Sequence, residues 1–472
     1  MKKSFLSFLI LLSIIQIQVQ TLTSCANIIP PSGGPRDSVP PVLLYAEPRD
    51  STRSFTAKKI TLTFNEYVQL DNQAMQTNLI VSPTPDQPPY ISSHLKEVTI
   101  RLKDSLKPNT TYSVDFGNAL KDVNEGNPYK NFTYVFSTGE TIANGRLRGK
   151  VQLAQTGKTD STLIAILHNN LNDSAIIKLK PDYYTRLDSG GRFNFKYIEN
   201  GTYNVFILPN DYTKRYDDST KMFAFLNAPV TIDSLTAETV MLYAYNEYEH
   251  TNEPGFNVPS NNKKPPPDTA KFIKPAAMNM ERTEQDLLSD LIINFQKPLE
   301  HFDTSKITLT DTNYRPVANY TITPDTSFTS FALHYNWKED QYFKLVIQPG
   351  AFTDSLGRTL EQNDTLGFRT KPESDYGSIR LRFSNLNMGN SPVLQLVQND
   401  KVVDSTALTG TEFFRKLYKP GEYEMRILYD EDKNMTWTPG SYALKKQPEI
   451  VIYIPRKLSI KPNWDNEINV NL

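Results

Sequence analysis

From Pro41 onward, apolar and polar residues alternate in short runs such as Ile60-Leu62-Phe64, Val98-Ile100-Leu102, Tyr112-Val114-Phe116 and Phe132-Tyr134-Phe136. A period of two puts every second side chain on one face, the signature of half-buried strands. Turn formers separate the runs, as in Lys107-Pro108-Asn109-Thr110 and Asn124-Glu125-Gly126-Asn127-Pro128, and no helical period is sustained. The pattern predicts an all-β chain after its first forty residues.

The first unit, 41–140, has the length and strand number of an immunoglobulin-like sandwich, with Tyr112 where a tyrosine corner would stand. A second unit, 143–246, opens at Leu147-Arg148-Gly149 and contains the continuous apolar run Leu163–Leu167, which reads as a central strand. In it Asp188–Gly191 can turn a hairpin, Phe193 and Phe195 return on the core face, and Gly201 makes room for Tyr203. Residues 247–275 lose the alternation and gain Pro and Asn, as a linker does. The order then repeats. Leu291–Phe295 answers Ile60–Phe64, Tyr342–Ile347 answers Tyr112–Phe116, and Asp354 with Gly357 answers Asp122 with Gly126, giving a second immunoglobulin-like unit over 276–372. In 376–472, Phe414, Leu417, Gly421 and Tyr423 answer Phe195, Ile198, Gly201 and Tyr203. The chain reads A-B-A′-B′.

Composition narrows the task. The 51 basic and 52 acidic side chains cancel to a formal charge of -1, so no global field gathers nucleic acid. Five histidines and one cysteine leave little material for metal or thiol chemistry, while 25 Tyr, 24 Phe and 32 Pro suit short strands joined by turns.

Lys2 and Lys3 precede an apolar run from Phe5 to Ile15, which fits a secretory signal and falls short of the roughly 20 residues a bilayer span needs. Leu22-Thr23-Ser24-Cys25 then resembles the lipobox of bacterial lipoproteins. The resemblance implies a signal peptide over 1–24, cleavage before Cys25, and acylation of that residue with chains such as palmitate. Residues 25–40, with Pro30, Pro31, Gly33, Gly34 and Pro35, read as a tether. Ala26 rather than an aspartate after the cysteine points to the outer membrane, with the leaflet left open.

Candidate chemistry is sparse. The sequence contains no G-x-S-x-G, H-E-x-x-H, C-x-x-C or G-x-x-x-x-G-K-[ST]. His94, His168, His250, His301 and His334 stand in no metal-like spacing, and nothing selects Asp217-Asp218 as a catalytic pair. Asp430, Asp432 and Asn434 resemble the start of a D-x-D-x-N calcium loop, although Met435 stands where such a loop has Gly and Ser441 where it has a bidentate Glu. Trp337, Trp437 and Trp464 sit beside strand-like residues that would bury them. Asp-[Ser/Thr] tripeptides at Asp37, Asp160, Asp218 and Asp354, among others, resemble O-glycosylation acceptors and equally start turns by local hydrogen bonding.

The residues Pro40-Pro41, Ile60–Glu66, Leu106–Tyr112, Ala119–Asp122 and Phe136–Thr138 resemble a bacterial Ig-like domain of the S-layer-protein type over about 41–139. Thr185–Phe195 with Ile198, Gly201 and Tyr203 resembles a prealbumin-like, carboxypeptidase-regulatory sandwich. With the lipobox and tether, the pairing resembles an Ig-like-domain lipoprotein of Bacteroidota. That resemblance implies tandem β-sandwiches on an outer membrane and leaves the task to the residues, whose missing motifs and dispersed histidines point to no catalysis and to no cofactor other than calcium at the 430 loop. Three tasks suit such a chain: a rigid interaction scaffold, an accessory subunit of an outer-membrane assembly or export machine, so that an outer-membrane protein complex is the expected partner, and, as the alternative, glycan binding or processing.

Overall fold

The structure, a computed structural model, describes residues 37–233, 239–247, 272–273, 275, 277–281 and 283–472. Cys25, His250 and nearly all of the expected linker lie outside them. The chain divides into two compact units after Asn144, and nearly all regular structure is strand, as the alternation requires.

In the first unit one sheet runs Leu43–Glu47, Lys59–Phe64, Glu97–Arg101, Tyr90–His94, and a second joins Ile80–Ser82, Thr111–Asp115 and Thr133–Ser137. Ile60, Leu62, Phe64, Val98 and Ile100 from the first meet Val114, Tyr134 and Phe136 from the second in a closed core. One short helix, Asn72–Asn78, departs from the pattern; it is nucleated by the Asp71 side chain, which accepts from Ala74 N at 3.0 Å.

The sheet order of this unit returns at 277–370. Ala277–Met278, Leu291–Asn294, Ser330–His334 and Thr321–Pro324 form one sheet, and Leu299–Phe302 pairs with Phe352–Asp354 as Val68–Leu70 pairs with Leu120–Asp122. The segments 145–246 and 376–472 match each other as closely. Gly145–Leu153 lies antiparallel to Arg192–Ile198 and parallel to Thr239–Ala244, and Gly377–Ser384 lies likewise between Glu412–Tyr418 and Asp465–Asn471. Their second sheets centre on Leu163–His168 and Gly201–Pro209, and on Pro392–Gln398 and Gly421–Tyr429.

Small polar devices explain why the repeated residues recur. The Tyr112 hydroxyl accepts from Lys107 N at 2.8 Å, closing the expected tyrosine corner. Tyr203 and Tyr423 donate to the carbonyls of Glu199 and Lys419, at 2.9 and 3.1 Å, each ring lying against its preceding glycine. Burial pushes the Asp122 carboxyl up, but bonds from Glu125, Gly126 and Asn127 N–H outweigh it and hold the group below the usual range. Asp354 is held low first by Arg358, and both turns have a left-handed glycine, Gly126 at φ 79° and Gly357 at φ 70°. Asp37, Asp160, Asp218 and Asp354 each accept from the backbone N–H two residues on, so these Asp-[Ser/Thr] sites do start turns.

One arrangement has no counterpart in the linear reading: the fourth sandwich docks on the second. Tyr442, between the strands Gly421–Tyr429 and Ile450–Ile460, inserts among Phe206, Tyr216, Phe223 and Phe225 in an apolar cluster on the outer face of the second sandwich's sheet, opposite its core. Around this plug Val451 N donates to Ala154 O at 2.9 Å, Lys445 pairs with Asp173 at 2.6 Å, and Lys158 pairs with Glu424 at 3.0 Å. Gly157, at φ 67°, leaves no room for a side chain: a Cβ there would stand 2.5 Å from Tyr453 N and 2.6 Å from Val451 O.

Candidate functional site

Residues 430–449 join two adjacent antiparallel strands where a hairpin of two to five residues would suffice. Connections beyond about 12–15 residues without their own regular structure are usually functional. This one carries an acidic group, a tryptophan and the Tyr442 plug.

The sequence-selected residues Asp430, Asp432 and Asn434 share one tight turn. Asn434 N bonds both Asp430 Oδ1 and Asp432 Oδ1 at 3.2 Å, and Met435 N bonds Asp430 Oδ2 at 2.8 Å. Met435 adopts φ 62°, so the turn makes the left-handed bend for which calcium loops use glycine, at a cost of about 1 kcal/mol or more. The missing acid comes from elsewhere: Glu449, buried just before the returning strand, brings its carboxylate within 4.8 Å of those of Asp430 and Asp432. Spacing arithmetic pointed to Ser441 and missed it, because the loop closes through the strand and not through a fixed count.

The carboxylates are also hydrogen-bonded within the loop. Glu449 accepts from Glu431 N at 2.8 Å and Thr438 N at 2.9 Å. Burial nevertheless raises its pKa above the ordinary value, with the Asp432 charge adding to the effect. Asp432 is held low, first by the Thr438 hydroxyl at 2.7 Å. Asn434 turns its Oδ1 to Thr436 N and Oγ1, both at 2.6 Å.

Trp437 donates from Nε1 to the Glu449 main-chain O at 2.8 Å, which fixes its indole to the returning chain. With Met435, Thr436 and Pro439 it walls a cavity of about 690 Å³ between the second and fourth sandwiches, whose floor includes Gln395, Ser405 and Arg426. The strand-like neighbours of all three tryptophans could bury them. Trp337 is buried, Trp437 is half-buried on the cavity wall, and Trp464 is 62% exposed beside Lys461, a correction that follows from its place in the turn before the last strand.

Four other candidates serve local structure. Asp217 pairs with Lys221 at 2.5 Å, while Asp218 holds Thr220. His334 bridges Asp290 and Thr323, and burial depresses the pKa of His168 inside the second sandwich.

A model of the bacterial Ig-like domain matches residues 37–138. No curated protein matches the chain. Among solved structures, the Bacillus anthracis TIE protein is 11% identical over 94% of this chain and 75% of its own, with a TM-score of 0.17. BcpA, the major pilin subunit of Bacillus cereus, is 12% identical over 70% of this chain and 98% of its own, also at 0.17. The S-layer protein rSbsC(31-844) is 10% identical over 82% and 52%, at 0.16.

Proposed function

We propose that this chain is a lipid-anchored, non-catalytic scaffold of the outer membrane, of the Bacteroidota Ig-like lipoprotein kind, that presents tandem β-sandwiches to protein partners as an accessory subunit of an assembly or export machine. The observation that carries the reading is an apolar sheet edge in the bacterial Ig-like domain. Leu43–Glu47 is the outermost strand of its sheet, and it leaves Leu44 61% and Tyr45 58% exposed beside exposed Val42 and Val39. A bulge at Leu43–Tyr45 and the flanking Pro41 and Pro48 keep this edge short, and its exposed apolar side chains suit strand addition by a partner. A photo-crosslinking residue at Tyr45, placed in cells before gentle solubilisation, is expected to capture an outer-membrane protein that also co-purifies with the unmodified chain. Recovery of monomer alone in both experiments would end the scaffold reading.

The same reading includes calcium at Asp430, Asp432 and Asn434, supported by the D-x-D-x-N spacing, the left-handed Met435 and the third carboxylate from Glu449. Millimolar calcium is expected to raise the unfolding midpoint, and Asp432→Ala to abolish the rise. The sign of the pH dependence follows from Glu449. Its raised pKa means that, without the ion, ionising it weakens the fold as pH climbs above 4.5, whereas with the ion the carboxylate form is the one stabilised. The calcium shift should therefore fade as pH falls through the raised Glu449 pKa. An equal shift in the variant returns the loop to a structural role.

A further inference from the structure

The cavity between the second and fourth sandwiches has a floor that ordinary folding does not account for. Ser405, Gln395 and Arg426 are cross-strand neighbours on three adjacent strands, so their side chains share one face of the sheet. The opposite face, with Leu394, Leu396, Met425 and Ile427, fills the core. Docking of the second sandwich covers the polar face, leaving Arg426 only 4% exposed.

A guanidinium has five N–H donors, yet the bond made by Arg426 is a long one, from Nη2 to Glu424 Oε2 at 3.4 Å, and its Nε is buried without a partner. Glu424 is already held at 3.0 Å by Lys158. Asp400 lies 3.8 Å from Lys158 with its side chain 89% exposed, where solvent screens it. Of these four charges the most deeply buried is the cation Arg426, its side chain 5% exposed against 24% for Glu424 and 35% for Lys158. On the same wall Asn246, whose amide nitrogen donates to Thr220 O, buries its Oδ1 without a donor. Arg426 and Asn246 both line the cavity, and each leaves one polar atom beside it unsatisfied, which is costly.

We propose that this cavity binds a short oligosaccharide carrying a carboxylate. The planar fork of Arg426 suits a carboxylate, the hydroxyl and amide groups of Ser405, Gln395 and Asn246 suit sugar hydroxyls, and the fixed indole of Trp437 offers an apolar wall for the C–H face of a sugar ring. The volume, about 690 Å³, lies within the range of small-ligand sites, about 300–1,000 Å³. This site is separate from the apolar edge at Leu44 and Tyr45, so its failure would leave the scaffold reading standing.

Calorimetric titration of the full-length protein in detergent tests it, with trigalacturonate, maltotriose and an acidic tripeptide as probes. Trigalacturonate is expected to bind in the millimolar range or tighter, with maltotriose weaker by about tenfold or more because it lacks the charge-assisted pair. Arg426→Gln should erase the preference for the acidic sugar. Because that variant changes a buried group, Val402→Trp is the second arm: Val402 lines the cavity yet is largely exposed, so the indole should block binding with the unfolding midpoint unchanged. Absence of binding by trigalacturonate, tighter binding of the tripeptide, or undiminished binding in a folded Val402→Trp protein would each overturn the assignment.

Discussion

Replacing Tyr442 by Ala is expected to release the fourth sandwich from the second, at a cost of about 3–5 kcal/mol, the range for truncating a well-packed aromatic. The side chain is 6% exposed, its ring centroid lies 5.2 Å from those of both Phe223 and Phe225, and its hydroxyl donates to Asp173 O at 3.2 Å. Its backbone N–H also bonds the Glu247 carboxylate. Tyr442→Phe removes only the hydroxyl bond and should cost about 1 kcal/mol. The readout is a chain with a protease site inserted between Asn261 and Asn262. After cleavage the unsubstituted halves should co-elute, and the Tyr442→Ala halves should separate. Gly157→Val should act similarly from the other side, since its side chain would meet the backbone of Val451 and Tyr453. Cleaved Tyr442→Ala halves that stay together would show that the polar contacts of Lys158, Lys445 and Val451 hold the joint without the plug.

The contrast between this joint and the rest of the fold shows what a sequence exposes. Strands were legible because alternation is local: Ile60, Leu62 and Phe64 face the core for the reason that they are spaced by two. Turns were legible because Asp, Gly and Tyr at fixed offsets act within a few residues, as Asp122 with Gly126 and Tyr203 with Glu199 do. Docking depends on what happens to the second face of a sheet. Arg426 and Gln395 have the composition of a solvent-facing row, and only the arrival of the second sandwich buries them. Tyr442 carries no periodic signal, because it stands in a long loop and its partners are more than two hundred positions away in the chain. The acidic turn was half legible for the same reason. Asp430, Asp432 and Asn434 announce themselves by spacing, whereas Glu449 joins them through strand pairing that no motif count includes.

Substituting Cys25 by Ala is expected to move the protein almost completely from the membrane fraction to the soluble fraction after an alkaline wash. The premise is the resemblance of Leu22-Thr23-Ser24-Cys25, after a basic start and a short apolar run, to a lipobox. Each buried CH₂ contributes about 0.8 kcal/mol, so one acyl chain gives marginal attachment and two or more hold a protein effectively for good. The remainder of the chain offers weak substitutes. Its formal charge of -1 provides no electrostatic pull toward anionic headgroups, and among the described residues no helix is long and apolar enough to cross a bilayer. Protein partners at the Leu44–Tyr45 edge would retain some of the variant under mild conditions, and alkali strips such contacts while leaving acylated protein in place. Comparing the two washes therefore separates the lipid contribution from the partner contribution. Mass spectrometry of the unsubstituted protein should find an acylated Cys25 as the first residue. A Cys25→Ala chain that survives the alkaline wash in the membrane, or an unmodified N-terminus elsewhere, would require a different anchor and with it a different explanation of how the first Ig-like domain is held beside its partners.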